Sequence, residues 1–223
     1  MGNDKDWSKI YNDWRDLYEE WSYKDHQAFY NEIERDWPSQ VQCDLGYFAP
    51  FLVKAIEIPE IRVLELGGWK GDIAQLLLAS PLGKRIKSWA NYDICPAILD
   101  KQVCKDPRYH VRVPDNWFWE TTIPDDYDLF FCSHTVEHLS RDHVKELLSK
   151  LDSLRSLRYI YLETPLPLSC TNNQWKDYRG SHKLQIGWVQ LRTLIEAHKW
   201  IPLYLATIPG TFGAIRLDPP GIS

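Results

Sequence analysis

Apolar and polar positions follow two different rhythms along the chain. In residues 5–37, apolar and aromatic positions recur at three- and four-residue steps, which is typical of one face of an amphipathic helix. From residue 61 onwards, short apolar runs alternate with segments of helical periodicity. The apolar runs predict five strands, over 61–66, 88–93, 108–113, 127–132 and 157–163. The segments between them predict helices over 72–79, 97–101 and 141–154, whereas 116–124 fits neither element clearly.

The alternation of strands and helices indicates a parallel sheet with helices on both faces. The carboxyl-terminal part departs from this alternation. A helix is expected over 188–199, followed by two β-rich runs on either side of Pro209 and Gly210, which is the pattern of a hairpin. The last strand is therefore expected to lie antiparallel to its neighbour.

Three further segments surround this pattern. A second amino-terminal helix is expected over 24–36, ended by Pro38. Another helix, over 45–58, leads into the first strand. The stretch 164–187 is irregular and too long for a simple connection in a compact domain, so we expect it to be functional.

Composition and charge narrow the class of protein. At 223 residues the chain is expected to form one domain with a small appendage. The net charge is −5 and no run of Lys or Arg occurs, which disfavours a nucleic-acid partner because phosphate binding needs a basic face. The five cysteines are scattered, so neither a disulfide framework nor a zinc knuckle is indicated. Because no stretch is long and apolar enough to span a membrane and no basic leader precedes an apolar run, we expect a cytoplasmic protein without a membrane partner.

A glycine turn, ELGGWKG, follows the first predicted strand. Its spacing does not match G-x-G-x-x-G, the fingerprint with which dinucleotide-binding proteins admit a pyrophosphate to a helix N-terminus. Glu65 adds a negative charge at the end of the strand, which disfavours a pyrophosphate and favours a ligand with a cationic end. A nicotinamide or flavin dinucleotide is therefore not expected.

Four segments, in this order along the chain, resemble the motifs of class I S-adenosylmethionine-dependent methyltransferases. They are VLELGGWKG, with Glu65, Gly67 and Gly71; NYDICPAIL, with Asp93; RVPDN, with Asp115 and Asn116; and YDLFFCSHTVEHLS, with Ser133 and His134. Trp69 stands where this family usually has the middle glycine of the turn. Asp93 follows Gly71 by about twenty residues, the distance that one helix and one strand require before a ribose-binding carboxylate.

The resemblance covers residues 41–217 and implies a three-layer Rossmann-like α/β fold. Its sheet would have seven mostly parallel strands in the order 3-2-1-4-5-7-6, with the last strand antiparallel. Residues 1–40 would form an aromatic-rich helical lid, and residues 41–223 the methyltransferase domain. The implied cofactor is S-adenosylmethionine, with S-adenosylhomocysteine as its product. The residues that the resemblance assigns to the cofactor are Glu65, Gly67, Gly68, Trp69, Gly71, Asp93, Ile94, Asp115, Asn116, Ser133 and His134.

Methyl transfer from a sulfonium is an in-line displacement, so positioning and exclusion of water are the main tasks of the protein. A base is needed only if the acceptor carries a proton. His182, in the irregular stretch, is the preferred base, and His134 either serves as a base or shapes the cofactor pocket. His134, Glu137 and His138 have i, i+3, i+4 spacing, but H-T-V-E-H is not the H-E-x-x-H zinc motif, and no metal is predicted.

We expect the acceptor pocket to form between the stretch 164–187 and the amino-terminal helices, since both are rich in aromatic side chains. The residues predicted to bind the acceptor are Trp175, Tyr178, Arg179 and His182. A small molecule is expected, methylated on oxygen, such as a sugar or another natural product. The alternative is a non-catalytic binding or assembly protein, with Trp69 as the sign of an altered cofactor turn. The aromatic stripe between Trp7 and Trp21 fits either packing on the domain or a homodimer face.

Overall fold

The structure is a computed structural model that describes residues 23, 24, 27, 38–54, 56–164, 188–206 and 211–216. Its helices are α1 (Pro38–Lys54), α2 (Asp72–Ala79), α3 (Ile98–Lys101), α4 (Arg141–Ser153) and α5 (Trp188–Ala197). Its strands are β1 (Ile61–Leu66), β2 (Ile86–Tyr92), β3 (Tyr109–Arg112), β4 (Leu129–Ser133), β5 (Tyr159–Glu163), β6 (Trp200–Ala206) and β7 (Thr211–Arg216). Short 3₁₀ turns cover Pro81–Arg85, Phe118–Glu120 and Val136–His138.

The strands form one sheet in the order β3-β2-β1-β4-β5-β7-β6. The pairs among β1 to β5 are parallel, and β7 lies antiparallel to both β5 and β6. The predicted sheet order, its mostly parallel direction and the antiparallel last strand are confirmed. We call the edge at which the parallel strands begin the amino edge, and the edge at which they end the carboxyl edge.

Two layers of apolar side chains fill the space between the sheet and the helices. On one face, Phe48, Phe51 and Leu52 of α1 are buried against the sheet, and each such side chain contributes about 1.5–3 kcal/mol. Gly213 of β7 is required beneath α1, because a Cβ there would lie 2.3 Å from the Phe51 ring. On the other face, α4 buries an i, i+3, i+4, i+7 series: Val144, Leu147, Leu148 and Leu151.

Several predicted bounds differ from the observed ones by one or two residues, and two segments differ more. The helix expected over 45–58 is α1, which begins seven residues earlier, at Pro38. Proline is well suited to the first turn of a helix, where its missing N–H has no partner to lose, so Pro38 begins this helix. The unclear segment 116–124 contains only the 3₁₀ turn Phe118–Glu120. The division at residue 40 falls inside α1, and the separation into a lid and a main domain stays a prediction.

Three arginines bind helix ends and loop carbonyls at the amino edge. Each guanidinium donates to three backbone carbonyls, which lets a single side chain satisfy acceptors that a helix end leaves open. The acceptors are Leu52, Ile56 and Ile58 for Arg85; Leu78, Gly83 and Ile86 for Arg108; and Leu151, Asp152 and Leu154 for Arg216.

None of the described helices has the length and apolar character that crossing a membrane requires.

Candidate functional site

The turn after β1 lies at the carboxyl edge and is strongly bent. Gly67, Trp69 and Gly71 have φ values of 73°, 49° and 81°, in the left-handed region that costs a residue with a side chain about 1–2 kcal/mol. The N–H of Gly67 donates to the carbonyl of Tyr92 at the end of β2 (2.9 Å). Helix α2 begins directly after Gly71. The turn therefore connects the ends of two neighbouring strands to the start of a helix.

The glycines of this turn are required by close protein contacts. A Cβ on Gly67 would lie 2.1 Å from the Thr135 hydroxyl, and one on Gly71 would lie 2.7 Å from the Tyr109 ring. A Cβ on Gly68 would lie 2.2 Å from the carboxyl group of Glu65. Real Cβ atoms do not approach other atoms this closely, so each glycine permits a contact that no other residue would allow.

Asn91, a residue that the sequence analysis did not single out, holds the turn from below. Its side chain is fully buried. Its Oδ1 accepts the Gly68 N–H at 2.9 Å, while its Nδ2 donates to the Trp69 carbonyl at 3.3 Å and to the Tyr109 hydroxyl at 2.9 Å. The only available signal was its position near the end of the second strand, two residues before Asp93.

Asp93 connects the turn to the end of β2. Its Oδ2 accepts the N–H of Trp69 at 3.0 Å, and its Oδ1 accepts the N–H of Cys95 at 2.9 Å. The residue is buried, which raises the pKa of its carboxyl group, while the two backbone hydrogen bonds act in the opposite direction. The bond from Trp69 comes from its backbone N–H and not from its ring.

The expectation that Glu65 presents a negative charge to a ligand is corrected by the burial of its side chain. The residue is 2% exposed, and its Oε2 accepts the indole N–H of Trp89 at 2.7 Å. Burial, with a smaller contribution from Asp93, raises the pKa of Glu65 to about 8. It is therefore mostly uncharged at pH 7 and does not present a negative charge to a ligand. Its carboxyl group instead packs against Gly68, where a Cβ would lie 2.2 Å away.

The loop after β3 carries Asp115 and Asn116, and both residues are exposed. The Asn116 side chain accepts the N–H of Trp117 at 2.9 Å. Two described residues of the amino-terminal segment contact this part of the molecule. The Tyr23 hydroxyl donates to the Pro114 carbonyl, and the Gln27 amide donates to the Ile94 carbonyl at 3.0 Å.

His134 lies directly after β4 with a φ of 52°. Its backbone N–H donates to the Glu163 carbonyl at 2.8 Å, and its Nδ1 lies 3.4 Å from a carboxyl oxygen of the buried Glu137. Ser133, the last residue of β4, pairs with Glu163 in the sheet. This arrangement places a half-buried imidazole beside a buried carboxyl group at the carboxyl edge.

The structure brings together only part of the predicted site. Part of the site lies at the carboxyl edge, where Ser133 ends β4 and the other residues follow strand ends: the β1 turn, Asp93, Ile94, Asp115, Asn116 and His134. Trp175, Tyr178, Arg179 and His182 lie outside the described residues, as does the stripe from Trp7 to Trp21. Within the described residues, no three His, Cys, Asp or Glu side chains are grouped so that they could bind a metal ion.

Comparison with known proteins identifies the fold. No protein-family model matches the chain, and no curated protein sequence matches it. Magnesium protoporphyrin IX methyltransferase from Synechocystis PCC 6803, solved with bound S-adenosylhomocysteine, superposes with a TM-score of 0.59 at 15% identity, covering 84% of this chain and 90% of that one. A methyltransferase from Archaeoglobus fulgidus, described as S-adenosylmethionine-dependent, gives 0.56 at 17% identity, covering 84% and 97%. The methyltransferase domain of a bacterial Hen1 gives 0.59 at 14% identity, covering 81% and 98%.

The chain therefore has the fold of the class I S-adenosylmethionine-dependent methyltransferases, as the motifs predict.

Proposed function

We propose that this protein is an S-adenosylmethionine-dependent methyltransferase that acts on a small-molecule acceptor. The observation that carries the proposal is the bond between the Trp69 N–H and Asp93 at the carboxyl edge. It joins the glycine turn of β1 to the acidic end of β2, which is where open α/β sheets bind their ligands. Magnesium protoporphyrin IX methyltransferase, which has this fold, has been solved with bound S-adenosylhomocysteine and with bound S-adenosylmethionine.

The side chain of Asp93 fits a ligand that presents hydroxyl groups. Each carboxylate oxygen accepts one backbone N–H, and a carboxylate oxygen has a second lone pair with which it can accept another donor. Ribose hydroxyls are donors of the required kind. Asp115 and Asn116 would lie near the adenine, and Ser133 and His134 near the methionine part. When bound, the cofactor supplies a methyl group on a sulfonium centre, whose departing thioether is neutral.

The protein's own contribution would be orientation of the reactants and acceptance of a proton where the acceptor has one. His134 is suited to the second task. With Nδ1 turned towards Glu137, the imidazole can carry its proton on that nitrogen and accept another at Nε2. His182 is the alternative base and comes from the sequence analysis alone.

The acceptor is proposed to be a small molecule methylated on oxygen, such as a sugar or a natural product. The net charge of −5 disfavours a nucleic-acid acceptor. Two sequence segments, LETPLP (162–167) and GSHKLQIGW (180–188), resemble the corresponding region of small-molecule and sugar methyltransferases. Solved proteins of this fold differ in the atom they methylate: one is a putative O-methyltransferase, and another is the CurJ carbon methyltransferase. Cytoplasmic location, a homodimer and the lack of a nucleic-acid partner stay predictions.

Calorimetry with S-adenosylmethionine and S-adenosylhomocysteine tests the proposal. We expect micromolar binding by the natural chain and at least about tenfold weaker binding by Asp93→Ala, since a hydrogen bond to a charged group contributes about 1.5–3 kcal/mol. Asp100→Ala is the matched control, because Asp100 is an exposed acidic residue of α3 and should not alter binding. If the natural chain binds neither compound, the enzymatic proposal is refuted.

The alternative function, a binding or assembly protein with an altered cofactor turn, depends on Trp69. Trp69→Gly separates the two functions, since the N–H that bonds Asp93 belongs to the backbone and survives the substitution. If the ring narrows the pocket, Trp69→Gly will bind S-adenosylhomocysteine where the natural chain does not. Equal binding by both proteins would show that the ring stays clear of the cofactor.

A further inference from the structure

We propose that Tyr23 and Gln27 form a two-point brace across the loops after β2 and β3, and that this brace retains the adenosine part of the cofactor. The inference rests on the proposed function and assigns to two amino-terminal residues a role in holding the cofactor. Both are positioning residues, since their observed contacts are with the protein.

The brace is defined by the spacing of Tyr23 and Gln27 along the chain and by the two backbone carbonyls to which they donate. Tyr23 and Gln27 each have helical conformation and are four residues apart, the spacing at which two side chains share one face of a helix. The Tyr23 hydroxyl donates to the Pro114 carbonyl, directly before Asp115. The Gln27 amide donates to the Ile94 carbonyl at 3.0 Å, directly after Asp93. Two residues four positions apart thus contact the two loops that carry the proposed ribose and adenine contacts.

The Tyr23 contact is buried and directional. Tyr23 is 8% exposed, and its ring meets the Trp117 ring edge to face, with centroids 5.5 Å apart. Burial, with smaller contributions from Asp115 and Asp93, raises the pKa of Tyr23 to about 12. The hydroxyl therefore stays protonated and remains a donor at physiological pH. The two carboxylates that act on it are the ones proposed to contact the ribose and the adenine.

The brace acts on one half of the site only. Ile94 and Pro114 lie beyond β2 and β3, whereas Ser133 and His134 lie at the end of β4 on the other side of β1. Release of a ligand held between the β2 and β3 loops would require the loops to separate, and each bond of the brace opposes that separation. The brace should therefore slow the release of a ligand that has the adenosine but lacks the amino acid as much as it slows the release of the complete cofactor.

The test measures dissociation rates of S-adenosylhomocysteine and of 5′-methylthioadenosine, which lacks the amino acid, by stopped-flow tryptophan fluorescence. The variants are Tyr23→Phe, which keeps the ring against Trp117, and Gln27→Leu, which removes only the amide. Each is expected to speed the release of both ligands by about 2- to 10-fold, the range that loss of one net hydrogen bond gives. Lys24→Ala, next to Tyr23 in the chain at an exposed position, is the control and should leave both rates unchanged.

The outcomes separate the brace from the proposed function. Unchanged release rates in both variants, with normal binding by the natural chain, would overturn the brace and leave the function in place. Faster release of S-adenosylhomocysteine without any effect on 5′-methylthioadenosine would overturn the assignment to the adenosine part. If the natural chain binds neither ligand, the proposed function fails and the inference fails with it. Melting temperatures of the ligand-free proteins identify a purely structural effect, which would lower stability while leaving the release rates unchanged.

Discussion

The buried carboxyl group of Glu65 makes the stability of this protein depend on pH in an unusual direction. Its pKa rises from an ordinary value of 4.5 to about 8 in the folded protein. Between these two values the unfolded chain has lost the proton and the folded chain still holds it. The free energy of unfolding contributed by this group therefore falls as pH rises from about 4.5 to about 8, and is constant outside that range.

The magnitude follows from the two pKa values. A difference of about 3.5 units, at about 1.4 kcal/mol per unit, makes the folded state about 5 kcal/mol less stable above pH 8 than below pH 4.5. At pH 7 the cost is about 3 kcal/mol by the same calculation. These are upper bounds, because side chains around an ionised group relax. Glu65→Gln keeps an oxygen that can accept the Trp89 N–H but cannot ionise. The free energy of unfolding of this variant should therefore not contain the decrease caused by Glu65.

Urea unfolding of the natural chain and of Glu65→Gln, followed by tryptophan fluorescence from pH 5 to pH 8.5, measures this difference. The variant should gain stability relative to the natural chain as the pH rises. Titration of the other groups, including Asp93, largely cancels when the two proteins are compared at each pH. Glu57→Gln, at an exposed position, is the control and should follow the natural chain. Parallel curves for Glu65→Gln and the natural chain would refute the assignment of a protonated, buried Glu65.

Three further predictions concern stability, each measured by urea unfolding. Asn91→Leu removes three hydrogen bonds from the glycine turn and should cost about 2–4 kcal/mol; a loss below about 1 kcal/mol would contradict the role of Asn91. Gly71→Ala should cost about 2 kcal/mol or more, because φ is 81° and the Cβ would meet Tyr109. Its control is Gly46→Ala, in open space within α1, which should stabilise the protein by about 0.5–1 kcal/mol. Arg216→Lys should cost about 1–3 kcal/mol, since an ammonium cannot reach the carbonyls of residues 151, 152 and 154 together; an unchanged midpoint would show that these bonds contribute nothing.

The strands could be predicted because they depend on local information, and their order could be predicted because the family resemblance implies it. Apolar runs of strand length recur between helical patterns, and the family motifs occur in the order that the sheet requires. The position of Asp93 followed from the same spacing. What could not be predicted depends on contacts between distant positions. Asn91, for example, bonds backbone and side-chain atoms 18 to 23 residues away, and no local pattern indicates such bonds.

Glu65 shows a second limit of sequence reasoning. Its place at the end of β1 was correct, but its charge was inferred as though the side chain faced solvent or a ligand. Whether a carboxyl group is ionised depends on its burial, and burial depends on the packing of Gly68 above it and Trp89 beside it. The predicted start of α1 was wrong for a related reason. A proline ends one helix and begins another equally well, so Pro38 alone could not decide between them.

The three arginines at the amino edge have a consequence for how this protein can change over evolutionary time. Arg85, Arg108 and Arg216 anchor helix ends at that edge, whereas four of the five positive-φ residues in the described part of the chain lie at the carboxyl edge. Substitutions at the proposed site that spare Gly71 and Asn91 therefore leave the guanidinium contacts with the helix ends intact. This separation is consistent with proteins that share the fold at only 12–17% identity.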